Sequence, residues 1–88
     1  MRRNAFGQPQ PATAEEIIAA MDELELEAEF AQAEIFDGRD QDAPFNGWCA
    51  EISDADSGEN RFCTLGFETR SALDQALEAA GIQLIMEA

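Results

Sequence analysis

The sequence has no histidine, no lysine and no tyrosine, and only two of its 88 residues are cysteine. Without histidine, the usual general base, the commonest metal ligand and the partner of a catalytic triad are all missing. Without lysine there is no Schiff base and no P-loop, and without tyrosine no phenolic acid. Cys49 and Cys63 are too few for a disulfide framework of the secreted kind and cannot alone make a structural zinc site. Carboxylates, two thiols and a few hydroxyls remain. A carboxylate pair can hydrolyse glycosides, but only in a cleft that holds a sugar. A chain this short buries about 60–65% of the surface its unfolded form exposes, which leaves little to wall such a cleft. The expectation is a binding protein rather than an enzyme, with no cofactor and no metal.

Long hydrophobic runs are missing too. No stretch approaches a membrane span, and residues 1–13, MRRNAFGQPQPAT, lack the apolar segment of a signal peptide. The chain reads as cytoplasmic.

Acid is abundant. Nineteen Asp and Glu face five Arg, for a net charge of −14. Such a field repels nucleic acid and anionic membranes and draws in basic surfaces. Direct nucleic-acid binding is excluded, because nothing here could displace phosphate counterions. Glu15, Glu16, Asp22, Glu23, Glu25, Glu27, Glu29, Glu34 and Asp37 lie between Arg3 and Arg39 with no base among them, and Asp40 and Asp42 follow.

Residues 1–12 read as a flexible tail, punctuated by Gly7, Pro9 and Pro11. A single acidic domain over 13–88 follows. Thr13 suits an N-cap, with Glu16 completing a capping box. Ile17, Met21 and Leu24 share a helix face. No Gly or Pro ends that helix, and its stripe could run on through Ala28, Ala31 and Ile35. Glu23 to Phe30, however, alternates at the strand period. At the other helix end, Ala79-Ala80-Gly81-Ile82 leaves through glycine and an apolar residue into an extended stretch. Leu24-Glu25-Leu26 matches that exit, with Glu25 in the glycine's place. The reading is a helix over 14–24 and a strand over 27–36; the alternative is one long helix, 14–36, packed on a hairpin, a helix and a C-terminal strand.

Beyond an acidic loop at 37–46, residues 47–53 and 60–68 read as strands joined by the Asp54–Glu59 loop. Ser71 and Asp74 resemble a second capping box, with Thr69 a rival cap. Leu73, Ala76, Leu77 and Ala80 form a helical stripe ending at Gly81, and a last strand spans 82–87. The fold class is α+β, order α-β-β-β-α-β: a small antiparallel sheet with two helices on one face.

Two hairpin registers compete. One sets Cys49 opposite Cys63 and Glu51 opposite Arg61. The other gathers Trp48, Ala50, Ile52, Cys63, Leu65 and Phe67 on one face; it is preferred for its larger apolar side, with Cys63 in the core and Cys49 facing out. The Asp37–Asp42 and Asp54–Gly58 clusters fit no EF-hand loop, since a Glu is wanted twelve positions in and Leu65 stands there relative to Asp54. They read as solvated turns. Phe45 and Trp48 flank a turn and read as core rim, or as a hydrophobic contact if exposed.

On a strand, Glu23, Glu25, Glu27 and Glu29 would project from one face at roughly 6.8 Å intervals, close to every second phosphate of a DNA strand at ~3.4 Å. In size, charge and want of catalytic residues, the chain resembles the small acidic inhibitors of phages and mobile elements, the anti-CRISPR and anti-restriction proteins, several of which imitate nucleic acid. That resemblance rests on composition and on no motif. It implies an inhibitor that occupies the basic nucleic-acid site of a CRISPR effector or similar defence complex through Glu15–Asp42. The element order also resembles the double-stranded-RNA-binding domain, but Thr69-Arg70-Ser71-Ala72 replaces that family's lysine-rich helix start, so RNA binding is not carried over. The alternative is an accessory or antitoxin-like module that binds through Phe45 and Trp48, its acidity owed to a salt-loving or GC-rich host.

Overall fold

A computed structural model of the chain describes residues 1–40 and 45–84. Asp42 and residues 85–87 of the expected last strand lie outside them. The elements are β1 (Arg2–Arg3), β2 (Pro9–Gln10), α1 (Ala14–Glu23), a 3-10 turn (Ala28–Phe30), β3 (Ala31–Asp37), β4 (Trp48–Asp54), β5 (Phe62–Cys63), α2 (Arg70–Ala79) and β6 (Gln83–Leu84). The α+β class holds, and the helix-to-strand order roughly matches the expectation, with β1 and β2 added before α1.

The first helix starts as its capping residues dictate. Thr13 Oγ1 accepts from the Glu16 N–H, and the Glu16 carboxylate accepts from the Ala12 N–H. It ends at Glu23, so the long-helix alternative is not formed. The exit repeats the one after α2. The Leu26 N–H reaches back to the Met21 carbonyl and the Glu25 N–H to that of Asp22; the Ile82 N–H reaches Leu77 and the Gly81 N–H reaches Glu78. Both are Schellman motifs. Glu25 takes the left-handed backbone, φ +57°, that Gly81 adopts at +75°. Four apolar residues at the matching positions, Met21 with Leu26 and Leu77 with Ile82, are buried.

The strand expected over 27–36 is shorter than its alternation suggested. Residues 28–30 form the 3-10 turn, and pairing begins only at Ala31. The alternation from Glu23 to Phe30 is the trace of a helix exit and a turn, not of a pleated strand. At α2 the rival cap prevails: Thr69 Oγ1 accepts from the Ala72 N–H at 3.0 Å, and the helix starts at Arg70, so Ser71 lies inside it.

The sheet order is β5-β4-β3-β6. Strands β3, β4 and β5 form an antiparallel meander, but β6 runs parallel to β3, making the sheet mixed rather than antiparallel. Strands β5 and β6 therefore run the same way on opposite edges, and α2 supplies the crossover such a connection requires. One sheet face carries Ala31, Ala33, Ala50, Ile52 and Phe62. It packs against Ile17, Ala20 and Met21 of α1 and Leu73, Ala76 and Leu77 of α2. All four residues of the expected α2 stripe are buried.

Neither hairpin register is adopted. Glu51 pairs with Cys63 and Ile52 with Phe62, while Trp48 pairs with Phe67. One extra residue sits between those pairs on the β5 side, a bulge. The register turns Phe62 inward, a larger apolar group than Cys63, and the bulge returns Phe67 to the side of Trp48. Thr64 is then fully buried. Its hydroxyl accepts from the Ala50 N–H at 3.1 Å, and its own N–H reaches the Ala50 carbonyl. The bulge also brings Gly47 against Gly66: a Cβ on Gly66 would lie 2.8 Å from the Gly47 nitrogen.

Residues 1–12 are not a loose tail. Arg2 pairs with Gln10 and Arg3 with Pro9, closing a short ribbon. Pro9, Gln10 and Pro11 are buried, Pro11 accepts from the Leu65 N–H, and Gln8 donates to the Arg61 carbonyl. The ribbon covers the β5 edge, which would otherwise offer unpaired main-chain groups.

Candidate partner-binding surface

The acids expected to form one partner-binding face are placed in four settings. Asp22, Glu23, Glu25, Glu27 and Glu29 stay together at the end of the molecule where α1 leaves its last turn. Glu15 and Glu16 lie at the opposite end of α1. Glu34 sits on the sheet face away from the helices, directly opposite Glu51. Asp37 and Asp40 flank Arg39 at the far end of β3. The evenly spaced comb is not formed, because Glu23 closes a helix, Glu25 has a left-handed backbone, Glu27 precedes the 3-10 turn and Glu29 lies inside it.

Arginine neutralises few of them. Among the described residues the ion pairs are Arg3 with Glu23, Arg39 with Asp37 at 2.6 Å, and Arg61 with Glu51 at 3.6 Å. Hydrogen bonds from Arg3 hold the Glu23 carboxyl below its ordinary range, and those from Arg39 do the same for Asp37. All six side chains are at least one-third exposed, so such pairs contribute little stability.

At the Asp22–Glu29 end the surface is concave. A groove of about 610 Å³ is lined by Ile18, Met21 and Asp22 of α1, Leu26–Glu29 of the linking turn, and Ala80 behind α2. A second depression, of about 410 Å³, continues from Ala28 and Glu29 past Glu78 to Gly81, Ile82 and Gln83. The acids of the two linings are Asp22, Glu27, Glu29 and Glu78, and neither lining contains a base. Both helices also end beside this surface, and neither has a basic residue in its last turn. A helix C-terminus carries about half a negative charge, so backbone and side chains add to one anionic field.

Sequence reasoning found the acids but missed the groove's apolar wall. Ile18 is 49% exposed. It follows Ile17 on the helix and lies about 100° round from it, so both cannot face the core. That second isoleucine, off the stripe, was the available signal. The groove itself needs Ala80, more than fifty residues away, and no local pattern reports that distance.

Trp48 and Phe45 are half-buried rather than presented as an exposed pair. The Arg39 guanidinium stands 4.9 Å from the centre of the indole ring and that of Arg70 stands 5.9 Å away. Both cations cover the tryptophan at cation–π distance, consistent with the core-rim reading.

Cys49 keeps the face away from the helices expected of it but is covered there, whereas Cys63 is not in the core and lies on that same outer face. Cys49 is fully buried, its thiol 3.7 Å from the Phe45 and Gly47 carbonyls, while Cys63 is partly exposed on the face away from the helices; both are free thiols. Burial pushes the Cys49 thiol up to about 11, with smaller contributions from Cys63 and Asp37. Burial also raises Cys63, with Glu51 adding to it. In the 54–59 loop, Asp54 Oδ1 accepts from the Asp56 and Ser57 N–H groups, the turn chemistry expected of it. Among the described residues no group of three or more Cys, Asp or Glu side chains is arranged to hold a metal ion, and no helix is long and apolar enough to cross a membrane.

The chain matches no protein-family model, no curated protein and no solved structure. The functional reading therefore rests on this surface and its chemistry.

Proposed function

We propose that the chain is a non-catalytic binding protein that covers a basic surface of a nucleic-acid-handling partner and so inhibits it. The observation that carries this reading is the convergence of Asp22, Glu27, Glu29, Glu78 and two helix C-termini on one end of the molecule, with no base in the lining. Neighbouring carboxylates within the ~8 Å Debye length add their fields at physiological salt. Such a field speeds capture of a basic partner and disfavours acidic ones. The support is field strength, not phosphate spacing, since the even row of carboxylates does not exist. A CRISPR effector or a similar defence complex is one partner of this chemistry.

The test is retention of lysate proteins on the immobilised chain, followed by competition. Retained partners should be basic nucleic-acid-binding proteins, released as NaCl rises from about 0.1 to 0.5 M. They should not be retained by the variant carrying D22N, E25Q, E27Q and E29Q, and the free chain should displace DNA or RNA from them. Partners that survive high salt and are lost with Trp48→Ala would assign binding to the Trp48 face instead, the accessory-module alternative.

A further inference from the structure

We infer that the groove between α1 and the 3-10 turn receives one apolar side chain of a basic protein segment, with lysines or arginines flanking that anchor. This rests on the proposed binding of a basic partner and adds to it the place and the chemistry of recognition. The groove's floor is apolar: Met21 and Leu26 are almost fully buried beneath it, Ala28 and Ala80 complete it, and half-exposed Ile18 forms a wall. Asp22, Glu27 and Glu29 stand on its rim. An apolar floor inside a ring of carboxylates suits neither a nucleic acid nor an acidic peptide. It also suits a simple polyamine poorly, since nothing in a polyamine would use the Ile18 wall. A segment such as Arg-x-Phe-x-Arg satisfies both parts at once, its ring covering Ile18 and Ala28 and its guanidiniums reaching the rim. Seating those cations would also offset the negative end of α2, which has no basic residue in its last turn, and add to Arg3, which already pairs with Glu23 at the end of α1.

The experiment uses the full chain and two synthetic peptides of equal length and charge. Each carries arginines around a central residue, phenylalanine in one and serine in the other. Binding is followed by fluorescence anisotropy at low salt and mapped by amide chemical shifts. The phenylalanine peptide should bind on the order of tenfold more tightly, reflecting burial of the ring, and should shift the amides of Ile18, Met21, Leu26–Glu29 and Ala80. Ile18→Ser, at an exposed position, should abolish the tenfold difference while far-ultraviolet circular dichroism stays unchanged. Equal binding of the two peptides, or equally effective displacement by spermine, would overturn the anchored groove and leave the charge-based function standing. Failure of both peptides to bind would overturn both, as would shifts confined to the surroundings of Trp48.

Discussion

Two buried side chains are held by specific polar demands. Thr64 completes the ladder at the β5 bulge, where its hydroxyl, not a main-chain carbonyl, accepts from the Ala50 N–H. Replacing it with valine keeps the shape and leaves that N–H without a partner in the core. Thr64→Val should lower the unfolding free energy by about 1–3 kcal/mol, while Thr64→Ser retains most of it; urea denaturation distinguishes the two. Cys49 demands the absence of charge. Its folded thiol titrates near 11, whereas an unfolded cysteine ionises near ~8.5. The contribution is fully present below the unfolded value. It is lost as pH rises toward 11, because the unfolded chain releases its proton first. Wild-type stability should fall between about pH 8.5 and 11, and Cys49→Ala should flatten that fall in thermal melts across the range.

At the scale of elements, the two helix exits carry the architecture. Each turns the chain through a left-handed residue and then buries an apolar one, Leu26 or Ile82, beneath its own helix. After α2 the turning residue is glycine, which adopts that backbone without strain. After α1 it is Glu25, whose Cβ opposes it. Glu25→Gly should therefore stabilise the fold by about 0.5–1 kcal/mol beyond Glu25→Gln, after allowing for the extra freedom glycine gives the unfolded chain. The Gln variant isolates the loss of charge. Denaturant midpoints of the three proteins measure the difference, and a Gly midpoint below that of Gln would show that strain at Glu25 is smaller than the entropy cost of glycine. The ribbon at residues 1–12 is the other element of consequence. Arg3 bridges it to Glu23 at the end of α1, and Pro9–Pro11 lie against the β5 edge. The terminal segment thus ties helix to sheet.

For the whole molecule, charge dominates. A net −14 on a body with a Cα radius of gyration of 11.7 Å repels itself, and the few exposed ion pairs relieve little of it. Salt should consequently act in opposite directions on folding and on binding. Raising NaCl from about 20 to 500 mM shortens the Debye length several-fold. Relief of about 1 kcal/mol of self-repulsion would raise the melting temperature by roughly 4–8 °C for a domain of this size. Over the same range, the affinity for a basic partner should fall. A melting temperature that dropped with salt would show that local ion pairs, not net repulsion, govern stability.

Much of the fold was legible because it depends on short-range rules. The Thr13 cap, the stripes of α1 and α2, the Gly81 exit and even its Glu25 counterpart follow from residues within one or two turns of each other. The hairpin register was not legible. Three registers satisfy the alternation of 47–53 and 60–68, and the choice depends on whether Phe62 or Cys63 reaches the helices. That is decided by a core built from two helices and three strands. The Glu23–Phe30 alternation misled for the same reason, since a period of two also describes a helix exit followed by a tight turn. The amino-acid sequence by itself determined the α+β class, the helix positions and the intense negative charge, all of which depend on composition and near neighbours. Only the tertiary structure decided where that charge collects. Side chains adjacent in sequence diverge by about 100° on a helix, and surfaces such as the groove beside Ile18 arise when separate segments meet.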